Sequence, residues 1–214
     1  MEFVMYRHHW IGLWILLAWA VVVPTQAQPA NDADANRVEI FCGQLIKGWH
    51  TGGWNGIALK PMTVEENQPG MLKLTVGKAA KNWGGAFLST IQPTEKTKHE
   101  IQLTEKIKQA GYLVMQVNGS EDEWGNHVGQ QKIQINIAQR EAKSKWKHGS
   151  KFLHLSKYLQ DGKIDQDATT WQQVRIPMTD LLAKESLPAM GAVFFQYIGE
   201  PASSVLIRDL HIAY

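Results

Sequence analysis

Apolar and polar positions alternate along most of this chain. Val38, Ile40 and Cys42 share one parity, and Arg37, Glu39 and Phe41 the other. Leu72, Leu74 and Val76 alternate with Lys73 and Thr75, and Ile133, Ile135 and Ile137 with Gln134 and Asn136. A period of two puts one set under a sheet and the other on its surface, which marks half-buried antiparallel strands. Further strands are expected over residues 56–60, 85–90, 112–118, 171–176, 192–198 and 205–212. About nine strands separated by turn signals make an all-β antiparallel sandwich. Its core should hold Leu74, Val76, Met115, Val117, Ile133, Ile135 and Ile176.

The last strand breaks its own alternation. Val205 and Ile207 have one parity, Leu210 and Ile212 the other, so a β-bulge is expected at Arg208-Asp209. Residues 101–104 and 153–159 read as strand ends running into short helical turns, and 105–109 as one turn of helix. Residues 121–126 and 143–150 read as the long loops, where a rigid scaffold most often carries function.

The first residues have a different pattern. Residues 10–23 form an uncharged, mostly apolar run behind Arg7, His8 and His9, shorter than the roughly 20 apolar residues of a spanning helix. Thr25-Gln26-Ala27 suits a small-residue cut. A secretory signal peptide over 1–27, a mobile polar leader over 28–36 and one domain over 37–214 are therefore expected, with export to the periplasm or the extracellular space.

Charge narrows the partners. Lys plus Arg is 22 against 20 Asp plus Glu, a net +2, so no basic field of the kind that drives nucleic-acid binding is present. Arg140, Lys143, Lys145 and Lys147 read as a local solvated loop. The single cysteine, Cys42, excludes an intramolecular disulfide and reads as a buried strand residue.

No nucleophile elbow, Walker loop or His-Glu-x-x-His pair occurs. Acidic residues are scattered apart from Glu121, Asp122 and Glu123, which read as a turn rather than a glycosidase pair. Beyond residue 27, no two histidines stand at metal-ligand spacing. The chain reads as a binding protein rather than an enzyme.

Tryptophan is the unusual quantity. Six of the nine lie beyond residue 27, and Trp49, Trp54, Trp83 and Trp124 sit beside Gly, Asn or His. Core tryptophans favour apolar runs, so these four are candidates for a groove in which indoles stack on sugar rings. Asn55, Asn82, Asn126, Gln196 and Glu123 are available to bond the hydroxyls. Gln196 and Tyr197, on a late strand, are candidates for its floor. The competing expectation is that Trp54, Trp83 and Trp171 plug the sandwich core.

The sequence from Trp171 through Ile176-Pro177 to Leu182, followed by 191–197 and 205–212, resembles the closing strands of galactose-binding-domain-like jelly rolls, the fold of many secreted carbohydrate-binding modules. Gly48-Trp49-His50-Thr51-Gly52-Gly53-Trp54 resembles the opening of the same modules, and 69–74 and 82–87 their next strands. The resemblance implies a jelly roll that binds a poly- or oligosaccharide. It also implies a structural calcium ion between the first and last strands, where Glu39 and Asp209 would be ligands. The alternative for Glu39 is a simple pair with Arg208. The alternative for function is a docking module for a protein partner on the same fold, and a glycan hydrolase or lyase ranks third.

Overall fold

The computed structural model describes residues 36–62, 70–76, 83–90, 99–119, 132–141, 145–164, 170–183, 186–198 and 204–214. These all belong to one unit, Ala33–Tyr214. The signal and leader segments up to residue 35, Asn82, Glu121, Asp122, Glu123, Trp124 and Asn126 lie outside the described residues. Among the described residues, no helix is long and apolar enough to cross a membrane.

Fourteen strands are formed among the described residues: β1 (Arg37–Phe41), β2 (Trp49–Trp54), β3 (Ile57–Met62), β4 (Met71–Val76), β5 (Trp83–Thr90), β6 (Ile101–Gln102), β7 (Tyr112–Gly119), β8 (Ile133–Arg140), β9 (Trp146–His148), β10 (Leu153–His154), β11 (Gln172–Pro177), β12 (Ala189–Met190), β13 (Ala192–Ile198) and β14 (Val205–Ala213). The nine expected strands are all present. The other five are β2 and four pieces of two or three residues, too short to show a period. Two short helices, α1 (Glu105–Ala110) and α2 (Met178–Leu181), join strands at the ends.

Twelve of the strands pair antiparallel in two six-stranded sheets, and β6 pairs with β12 in a third, two-stranded one. The first runs β11-β7-β14-β4-β3 with β1 also on β14, and the second runs β10-β8-β13-β5-β2 with β9 also on β8. Alternation then decides which side chains meet between the sheets. Leu72, Leu74, Met115, Val117, Val174, Ile176 and Ile207 of the first face Leu88, Ile133, Ile135, Ile137, Val193 and Phe195 of the second in one continuous core. This is an antiparallel jelly-roll sandwich, as the alternation and the resemblance require. All the named core residues are buried except Val76, whose side chain lies outside the described set.

The bulge in β14 falls at the expected place. Arg208 stands opposite Gln116 and His211 opposite Val114, so three steps on β14 match two on β7. Asp209 takes a left-handed φ of 54°, a conformation that Asp tolerates better than most residues. The extra residue lets Ile207 and Leu210 both face the core. A second irregularity, between Glu39 and Phe41 in β1, buries Ile40 and Phe41 together, where strict alternation separates them.

A two-residue turn sets the place of Trp54. Asn55 and Gly56 both have positive φ, 53° and 78°. Asn and Gly adopt this region at the least steric cost. The turn carries the chain from β2 in one sheet to β3 in the other, and it leaves Trp54 at the last position of β2.

Candidate functional site

The outward face of the β10-β8-β13-β5-β2 sheet carries a second hydrophobic cluster, separate from the core. Ala138, Ala192 and Phe194 are buried there, with Trp54, Phe87, Trp146 and Phe152 packed against them. Strand register explains how residues distant in sequence converge. Gly52 stands opposite Phe87, which stands opposite Phe194, which stands opposite Asn136. One row along, Trp54, Gly85, Gln196, Gln134 and His154 align across five strands.

Two glycines shape this face. A Cβ on Gly52 would run into the Phe87 ring, and a Cβ on Gly85 into the Trp54 indole. Each aromatic therefore lies across the glycine of the neighbouring strand, where no other residue leaves room. The two rings end near-parallel, with 23° between their planes and centroids 6.4 Å apart. The strip continues from Phe87 to Phe194 at 5.9 Å and from Phe194 edge-on to Trp146 at 5.5 Å. Trp83 is 54% exposed, and strand alternation puts it on the same side of β5 as Phe87.

Polar groups border the strip. The Asn136 amide donates to the Ser150 carbonyl at 2.7 Å. Since a carbonyl can only accept, Asn136 Oδ1 faces His148 and accepts its Nδ1–H at 2.6 Å. This fixes the tautomer and leaves His148 Nε2 as an acceptor. Burial pushes the His148 pKa down, because charge is disfavoured beside Phe194 and Phe152. Nearby, the Gln134 amide donates to His154 Nε2 at 2.9 Å.

The lowered His148 pKa has a definite sign. The unfolded chain takes up a proton near pH 6.5, and the folded chain resists it. His148 thus favours the fold above about pH 6.5, and this contribution is lost as pH falls through the lower, folded value. Melting temperature should drop on mild acidification, and less so in His148→Gln. Equal acid sensitivity in the two proteins would exclude His148 as the cause.

The expected site residues divide by face. Trp54, Trp83 and Gln196 come together on the outward side. Trp49 and Tyr197 are corrected: they are 4% and 3% exposed and belong to the core. The Trp49 indole N–H is spent on the His99 carbonyl at 2.9 Å, so its ring presents no stacking face. The cause is parity. Trp49 and Trp54 are five residues apart on one strand, and Gln196 and Tyr197 are adjacent, so each pair splits between the two faces. Phe87, Phe194, Trp146 and His148 carry no local signal that singles them out in the sequence. Of the Arg140–His148 stretch expected as a solvated loop, Arg140 ends β8 and Trp146–His148 form β9 beside it, while Lys143 lies outside the described residues.

Asp209 lies next to the first strand, as expected, but its partner is Arg37. The guanidinium donates to Asp209 Oδ1 at 2.6 Å and stands 3.7 Å from Glu39 Oε1. Arg208 instead donates to Gln116 and stacks on Trp171 at 4.0 Å, so the Glu39–Arg208 pair is not formed. Cys42 is half-buried beyond the end of β1 rather than a buried strand residue. Burial raises its pKa, against the opposing bond from Arg37. Glu39 and Asp209 do not fit a calcium cage as they stand, because Arg37 holds the position between the carboxylates that the ion would need. No group of three metal-ligating side chains forms among the described residues. Chelator should leave the melting temperature unchanged. A fall in EDTA that calcium reverses would return Glu39 and Asp209 to the role of ligands.

No protein-family model matches the chain, and no curated protein matches it. Solved structures do. A family 30 carbohydrate-binding module aligns over 83% of this chain and 98% of its own, with TM-score 0.56 and 18% identity. The family 30 module of a cellulosomal cellulase of Clostridium thermocellum covers 83% and 92%, with TM-score 0.48 and 19% identity. A family 11 module from another cellulosomal cellulase of that organism covers 83% and 94%, with TM-score 0.47 and 10% identity. At such identities the likeness is one of fold: the chain folds as a jelly roll of the carbohydrate-binding-module type.

Proposed function

We propose that this chain is an exported, non-catalytic glycan-binding protein that takes a poly- or oligosaccharide on the outward face of the β10-β8-β13-β5-β2 sheet. One observation carries the reading: Trp54 and Phe87 are laid over Gly85 and Gly52 as a near-parallel pair. An apolar plate of this kind suits the C–H face of a sugar ring. Gln196, Gln134 and His148 around it are neutral hydrogen-bonding groups suited to hydroxyls. A protein-docking face calls instead for an unbroken apolar patch, and the polar border argues for the glycan. The fold shared with modules named for carbohydrate binding supports the same conclusion. For export, the support is the apolar run at 10–23 with its small-residue end.

A glycan array should return hits, and calorimetry on a hit should give modest affinity, since part of the binding energy goes to ordering a flexible ligand. Mass spectrometry of the exported protein should find a chain starting near Gln28. An array without hits would count against glycan binding, and a full-length membrane-retained product against export.

A further inference from the structure

The aromatic strip ends on an unmatched cation. Arg140 is the last residue of β8 and stands opposite Trp146 of β9. Its guanidinium carbon lies 4.6 Å from the centre of the Trp146 ring, in cation–π contact. Trp146 in turn meets Phe194, so the guanidinium continues the line Trp54–Phe87–Phe194–Trp146. The Arg140 side chain has no hydrogen-bond or ion-pair partner among the described residues, and its Nε is buried without one. Three cations elsewhere in the molecule are matched: Arg37 has Asp209, Lys108 has Glu105, and Arg208 has Gln116. The nearby carboxylate of Glu100 is engaged by the Arg140 backbone N–H at 3.1 Å and makes no ion pair with the guanidinium.

A half-buried guanidinium with an unpartnered Nε is costly to keep unless something pairs with it. The guanidinium fork matches a planar carboxylate, and it lies over the Trp146 ring. Outward positions six residues apart separate Gln134 from Arg140, about 20 Å of strand, so a ligand reaching both ends of the face spans several sugar rings.

We infer that Arg140 forms an acidic-sugar subsite: the ligand of this face is a glycan bearing uronic acid, whose carboxylate pairs with the guanidinium over Trp146. The inference rests on the glycan-binding reading and deepens it. It predicts a preference for charged over neutral forms of one oligosaccharide, weakening as salt screens the half-exposed pair.

The test compares ligands that differ only in charge. Oligosaccharides of glucuronoxylan, homogalacturonan and alginate are titrated by calorimetry before and after reduction of their carboxyl groups to alcohols. For the wild-type protein, reduction of the preferred ligand should cost about tenfold in affinity, the range of a charge-assisted hydrogen bond. In Arg140→Gln the ratio of acidic to reduced affinity should fall to about one. In Arg140→Lys, which keeps charge but not the fork, it should be intermediate. Each variant is compared only with itself, so a general loss of affinity does not mimic the effect. Equal binding of acidic and reduced ligands by the wild-type protein overturns the subsite but leaves the aromatic face standing. So does a preference that survives in Arg140→Gln. Failure of every ligand, acidic and neutral, overturns both.

Discussion

Replacing Trp54 by Ala should weaken glycan binding at least about 30-fold, the loss of about 2 kcal/mol expected when a central aromatic anchor is removed. Trp54 is half-buried and touches both Phe87 and Phe194, so the variant also loses packing. Gly52→Ala separates the two effects. The three atoms nearest the new methyl all belong to the Phe87 ring, the movable end of a side chain, whereas Gly85→Ala would also crowd the Phe195 carbonyl. Gly52→Ala should keep its melting temperature within a few degrees, while tilting Phe87 off the sheet and lowering affinity. Binding by Gly52→Ala and Trp54→Ala as tight as wild type would mean that the near-parallel pair is not the ligand platform.

Ile135→Ala should cost about 2–5 kcal/mol of stability, the usual range for a large-to-small change in a close-packed core. Ile135 is fully buried at the centre of the sheet, opposite Phe195 on one side and Leu153 on the other. Because it faces inward while Asn136 beside it faces out, the substitution tests the orientation of β8 as well as its packing. Denaturant unfolding with an unchanged m-value and a lower midpoint is the expected result. A loss below about 1 kcal/mol would place Ile135 nearer the surface than the structure does.

The strands and the bulge are legible in the sequence because both are written in local alternation. Val205 and Ile207 fall out of phase with Leu210 and Ile212, and only an extra residue reconciles them. The aromatic strip is only half legible. That Trp54 and Trp83 sit among glycines is visible. That Phe87 lies on Gly52, 35 positions away, depends on the pairing of β2 with β5, which no local pattern states. Trp49 misleads because its Gly and His neighbours suggest a rim. The spacing of five to Trp54 already requires opposite faces, once both are placed on one strand. Trp146 and Arg140 are hidden by composition: a lysine-rich stretch reads as solvated until β9 is seen paired with β8. The Arg37–Asp209 pair is hidden for a related reason. The bulge redirects Asp209 to a strand 172 residues earlier, and its partner is set by that turn of the backbone.

The most direct measurement is a titration of the indole N–H signals by nuclear magnetic resonance with an array-selected glycan. Signals of Trp54, Trp83 and Trp146 should move together and saturate with one affinity. The Trp49 signal, held by the His99 carbonyl inside the core, should stay in place. Movement of Trp49 or of Trp171, beneath Arg208 on the other sheet, with Trp54 and Trp146 unmoved, would contradict the assignment of this face.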